Sequence, residues 1–79
     1  MTEIAPRVKD IVTDALKLRK TRFDLQSSLV YDLGADSIAM AGLVVDIEKE
    51  FDITIFDEEI EKFRTVHDLI DFVERTSRN

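Results

Sequence analysis

The chain has 79 residues, enough for one domain with a single modest core, and its 44% hydrophobic and 35% charged residues mark it as globular rather than disordered. No apolar run reaches membrane-spanning length, no signal-like pattern opens the chain, and the absence of cysteine excludes disulfides and thiolate metal sites. The net charge of −6 is uneven: residues 1–23 hold six bases and three acids, whereas residues 46–61 hold eight acids and one base, Lys49, which argues against nucleic acid and for partners with basic patches.

The first element is a helix read from Ile4, Val8, Ile11, Val12, Ala15 and Leu16, which recur at the spacing of one helical face. Thr2 is its candidate cap, Pro6 is tolerated because it falls in the first turn, and Lys17, Arg19 and Lys20 suit a helix C-terminus. A connection from Thr21 to Asp36 comes next, long for so small a domain. Phe23, Leu25, Leu29 and Leu33 are expected to pin it to the core, Ser27 or Ser28 to start a short turn, and Tyr31 to pack or to sit on a rim.

The stretch Asp32-Leu33-Gly34-Ala35-Asp36-Ser37-Ile38 organises the rest of the chain. Gly34 supplies a bend other residues avoid. Asp36 or Ser37 then caps a second helix, because a short oxygen-bearing side chain accepts from the free N–H groups of a first turn. That helix is expected to run to Phe51. At about 100° per residue, Met40, Leu43, Val44, Ile47 and Phe51 share one face. Ile38, Ala41 and Val45 form a second apolar strip on another face, more than a surface helix needs to fold, and so read as a docking surface. Capping alone is the plain reading of Ser37.

Beyond Phe51, Ile53 and Ile55 alternate with polar residues, but no second strand signal pairs with them, and an extended connection is expected. Asp57 is the expected cap of a short third helix carrying Glu58, Glu59, Ile60 and Phe63. Thr65-Val66-His67-Asp68 has the spacing of a capping box for the last helix, whose core stripe is Val66, Leu69, Ile70 and Val73; Thr76 to Asn79 are expected to fray. His67, the sole histidine, reads as a surface residue. The acidic run fails as a calcium loop, since Phe51 stands where the sharp turn requires glycine, and no other metal-ligand cluster appears. The expected fold is all-α: a four-helix bundle of three longer helices and one short helix with a long first loop, in one domain spanning residues 1–79.

Leu33-Gly34-Ala35-Asp36-Ser37-Ile38, Glu48-Lys49-Glu50-Phe51-Asp52 and Asp57-Glu58-Glu59 together resemble the discrete acyl carrier proteins of fatty-acid and polyketide systems. The resemblance runs from Val8 to Val73, and the Ala35-Asp36 pair before the serine favours this branch over peptidyl carriers. It implies that Ser37 bears 4′-phosphopantetheine, delivered from coenzyme A by a phosphopantetheinyl transferase whose Mg²⁺ belongs to that enzyme. Ser27 and Ser28 lack the motif. A non-catalytic, monomeric carrier of acyl thioesters is implied, presenting them to acyl transferases, ketosynthases and related enzymes. Asp36 belongs with the attachment site; Ile38, Ala41, Val45, Glu48 and Asp57 are the expected partner contacts, and Leu43 and Ile47 the expected lining of an acyl space. General fatty-acid carriers place acids two and five residues after the modified serine, where this chain has Ala39 and Gly42, which points to a specialised carrier. The rival reading is a small acidic helical interaction module without a prosthetic group.

Overall fold

The computed structural model describes residues 4–18 and 24–77, of Ser77 the backbone only. Four helices succeed one another: α1 (Ile4–Ala15), α2 (Ser37–Phe51), the short α3 (Asp57–Ile60) and α4 (Val66–Ser77). The bundle of three longer helices and one short one, with its long first loop, is therefore as the pattern implied. The expected cap Thr2, together with Arg19, Lys20 and Phe23, lies outside the described residues.

Each longer helix sends its apolar stripe inward. Val8 and Val12 from α1, Leu43, Val44 and Ile47 from α2, and Val66, Leu69, Ile70 and Val73 from α4 form one core, which Leu29, Ala35, Ile55 and Phe63 complete from the connections. Phe63 meets Phe72 edge to face with ring centroids 5.4 Å apart, a favoured aromatic geometry. α1 packs against both α2 and α4, and Arg7 pairs with Glu50 across the first of these contacts. With both side chains partly in water, that ion pair contributes only about 0–1 kcal/mol.

The helix ends explain themselves locally. α1 closes with Lys17 at φ +56°, the Lys17 N–H donating to Asp14 O at 3.3 Å and the Leu18 N–H to Thr13 O at 2.9 Å. This is the paired bonding of a Schellman ending, in which a left-handed residue turns the chain back on its helix. α2 ends on Asp52 at φ +55°, one of the few non-glycine types that tolerates the left-handed region. α4 begins in the expected box: Asp68 N–H donates to Thr65 Oγ1 at 3.2 Å and Thr65 N–H to Asp68 Oδ2 at 3.1 Å. It runs through Thr76 to Ser77; Arg78 and Asn79, the rest of the stretch expected to fray, lie outside the described residues.

The first loop is held by backbone pairing with the start of α4. Leu29 N–H donates to Arg64 O at 2.8 Å, Val66 N–H to Ser27 O at 3.2 Å and His67 N–H to Leu25 O at 2.8 Å. Two N–H groups that a helix leaves unpartnered at its start are thereby satisfied. Leu29 is the anchor the sequence named, and Leu33 packs beside the core. Leu25 does not pin the loop with its side chain, which stays exposed, and Tyr31, expected to pack or sit on a rim, is 91% exposed. Ser28 does start a turn, accepting the Tyr31 N–H on Oγ at 3.0 Å, while its own N–H donates to Asp32 Oδ2 at 2.7 Å.

Two corrections concern α3. Asp57 is its first residue and not its cap; Phe56 occupies the cap position and makes no side-chain capping bond. Phe63 lies beyond the helix, which ends at Ile60, and its ring is buried in the core instead.

Two stability predictions arise here. Asp68 has two opposed influences on its carboxyl: desolvation raises its pKa, while the N–H groups of Arg64 and Thr65, the Thr65 hydroxyl and the His67 charge lower it, and the net displacement is downward. A carboxyl lowered in the folded state stabilises at pH values above its unfolded pKa of about 3.9, and that stabilisation disappears as pH falls through the folded value. Asp68→Asn should therefore lower Tm at pH 7, and its gap to the parent should narrow below about pH 4. Thermal melts of both proteins at pH 7 and pH 3 check the sign. Separately, a Cβ built at Gly42 meets nothing within 4 Å and Gly42 has no positive φ. Gly42→Ala should stabilise the fold by about 1 kcal/mol, the helix-interior penalty of glycine, read by denaturant unfolding.

Candidate functional site

The serine's surroundings are set by a one-residue phase. Asp36 is extended, with φ −94° and ψ −174°, and its Oδ1 accepts the Ala39 N–H at 2.8 Å. Asp36 is thus the cap, and Ser37 becomes the first helical residue. Relieved of capping, the Ser37 hydroxyl has no hydrogen-bond partner among the described residues, and the side chain is exposed. Gly34 makes this presentation possible: its φ of +76° turns the chain, and the following Ala35 is pulled inward, 2% exposed, with its N–H donating to Leu29 O at 2.8 Å. The result is a free hydroxyl at the positive end of a four-turn helix, a position electrostatically suited to an attached phosphate.

Two depressions flank α2 beside this hydroxyl. The first is an open cleft of about 560 Å³ whose apolar walls are Val30, Ala35, Met40, Ala41, Ile60 and Phe63, with Asp36 and Ser37 as its polar members. The second, of about 450 Å³, is a groove along Ile38, Ala39, Ala41, Gly42 and Val45, bordered by Ala15 and Asp46. Ala41 borders both. Ile38 is 83% exposed and Val45 44% exposed, so the second strip on the helix wheel does face outward.

The structure separates the remaining site residues. Leu43 and Ile47 are fully buried in the core and are not among the walls of the open cleft beside Ser37. Asp57 is exposed at the start of α3. Glu48 is half-buried, and its carboxylate is engaged, Oε2 accepting the Ile55 N–H at 2.7 Å. His67 is exposed, as expected. Sequence reasoning missed Val30, Ala35, Ile60 and Phe63 as cleft walls and placed Met40 on the core-facing stripe alone. Only their apolar character was visible, because three separate segments meet there.

Comparison with known proteins bears on the same stretch. Residues 6–73 match the family model described as a phosphopantetheine attachment site. The chain is 39% identical over 75 residues to an acyl carrier protein of Bdellovibrio bacteriovorus, covering 95% of this chain and 96% of that one. It is 42% identical over 67 residues to an acyl carrier protein of Clostridium acetobutylicum, covering 85% of this chain and 87% of the other. A solved structure assigned as an acyl carrier protein from Mycobacterium tuberculosis superposes with a TM-score of 0.87 at 26% identity, over 92% of this chain and 97% of its own. The helical order, the free serine at the head of α2 and these likenesses converge: the chain belongs to the acyl carrier protein family, whose prosthetic group is phosphopantetheine.

Proposed function

We propose that Ser37 is the attachment residue and that the chain acts as a carrier, without catalysis of its own, serving acyl-processing enzymes in the cytoplasm as a monomer. The observation that carries this reading is the division of labour at the helix head, where Asp36 takes the capping role and leaves the Ser37 hydroxyl exposed and unpartnered. When bound, the arm supplies a terminal thiol on which acyl groups are held as thioesters. Ser37 anchors it, and the α2 N-terminus favours the phosphate charge beside that oxygen. Met40, Ile60 and Phe63 offer an apolar wall next to the anchor, where an alkyl chain is shielded from water at a gain of about 0.8 kcal/mol per buried CH₂.

Ile38, Ala41 and Val45 form the partner-facing strip, with Asp57 and other exposed acids steering partners that bear basic patches, among them the phosphopantetheinyl transferase, acyl transferases and ketosynthases. Ala39 and Gly42 leave the groove beside Ser37 without the acids expected there, which supports a dedicated pathway over general fatty-acid synthesis. The whole reading is tested by the intact mass of the protein isolated from cells with an active transferase. One added phosphopantetheine is expected. An unmodified mass under those conditions leaves the interaction module as the better account.

A further inference from the structure

Glu48 is bound more closely to the α2–α3 connection than an encounter residue should be. Its backbone oxygen accepts the N–H groups of both Asp52 and Ile53, and its carboxylate accepts that of Ile55 at 2.7 Å. Three N–H groups of the connection therefore converge on one residue. Ile55, the last of them, is 6% exposed and part of the core.

The segment beyond Ile55 is weakly restrained. α3 has four residues, no side-chain cap and no buried residue, and Phe56 at its cap position is 64% exposed. Its placement depends on its two ends, Ile55 before it and the buried Phe63 after it, and on Ile60, which is partly buried against the core. Ile60 and Phe63 are also walls of the cleft beside Ser37. Nearby Glu50 is committed to Arg7 on α1, so of these two acids it is Glu48 that reaches the connection.

We propose that Glu48 is a positioning residue for the carrier function: by holding the Ile55 N–H it fixes α3, and through Ile60 and Phe63 it sets how far the cleft beside Ser37 stands open to the attached acyl group. The proposal rests on Ser37 being the attachment residue. It assigns Glu48 a hydrogen-bonding role inside the molecule, where a steering role would need only its charge. The two roles part company in Glu48→Gln, whose amide oxygen still accepts the Ile55 N–H but carries no charge, and in Glu48→Ala, which does neither.

Amide hydrogen exchange on the unloaded protein reads α3 directly and needs no prosthetic group. In Glu48→Ala, exchange at Ile60 and Phe63 should quicken about tenfold, as expected for loss of a hydrogen bond to a charged acceptor, while Leu69 and Ile70 in α4 keep the parental rate. Glu48→Gln should lie nearer the parent than the alanine variant. On protein loaded with an octanoyl thioester, hydroxylamine cleavage should quicken in the same order. Equal effects of Gln and Ala, parental exchange at Ile60 and Phe63 in the alanine variant, equal acceleration throughout α4, or unchanged cleavage would each overturn the proposal. If the parent takes no prosthetic group at all, the Ser37 reading fails, and the exchange result still decides whether Glu48 positions α3.

Discussion

Ser37→Ala should abolish phosphopantetheine loading completely and leave the bundle folded. The first half rests on chemistry, since alanine has no oxygen to form the phosphodiester. The second rests on the phase of the helix: the capping bond comes from Asp36 to the Ala39 N–H, and the Ser37 side chain makes no bond whose loss would be felt. Alanine is also the best helix former, so the variant should be as stable as the parent or slightly more so. The other candidate hydroxyls are occupied. Ser27 Oγ accepts the Asp24 N–H at 3.2 Å and lies 3.3 Å from Asp24 Oδ1, and Ser28 Oγ accepts the Tyr31 N–H at 3.0 Å. Modification of either requires opening a turn that its own side chain closes. Mass spectrometry after incubation with coenzyme A and a broad-specificity transferase should show one arm on the parent and none on Ser37→Ala. An arm surviving in the variant, or mapped to Ser27 or Ser28, would overturn the assignment. Asp36→Ala makes a useful companion, because it removes the cap, at a cost of about 1 kcal/mol, while keeping the hydroxyl.

What the sequence disclosed and what it hid divide along the range of the interactions involved. Helix phase is local, so Val8, Val12, Leu43, Ile47, Leu69 and Val73 could be placed in the core from spacing alone, and all of them are fully buried. The Thr65–Asp68 box is local too, and it forms as its spacing implied. The choice between Asp36 and Ser37 as cap turns on a single residue of register, which pattern cannot fix but one hydrogen bond does. Asp57 misled because an acid before a short helix normally caps it. Here α3 starts at Asp57 itself with Phe56 at the cap position, and the connection before it is bonded to a residue seven positions away, the Ile55 N–H donating to Glu48. The cleft was hidden for the same reason. Val30 and Ala35 come from the first loop, Met40 from α2, Ile60 from the end of α3 and Phe63 from just beyond it. No periodicity within one segment announces such a meeting. Leu43 and Ile47, named from their core-facing phase as lining of an acyl space between the helices, do face the core, and the open cleft beside Ser37 is walled by other residues.

Val45→Asp should reduce acyl transfer to partner enzymes by about tenfold or more while leaving the fold intact. Val45 is 44% exposed and stands in the groove with Ile38 on the outer face of α2. Covering the exposed part of such a side chain contributes about 1 kcal/mol, and each 1.4 kcal/mol corresponds to a factor of about ten in affinity. Aspartate forfeits that gain and adds a charge that must be desolvated when the partner closes over it. Helix propensity does not confuse the result, since valine and aspartate rank alike within a helix. The sign separates burial from steering. The chain already carries −6, so one more negative charge should, if anything, hasten encounter with a basic partner at low salt. A fall in rate can then only reflect the closed complex. Steering should show itself differently, as a decline in transfer with rising ionic strength in both proteins, because screening acts on the approach and much less on buried contact. Transfer rates of loaded parent and variant, measured across a salt series with one acyl-processing enzyme, give both readings together. The expected pattern is two declining curves, with the variant well below the parent at every salt concentration. Coincident curves would place docking on another face of the bundle, and flat ones would remove the acidic residues from the encounter.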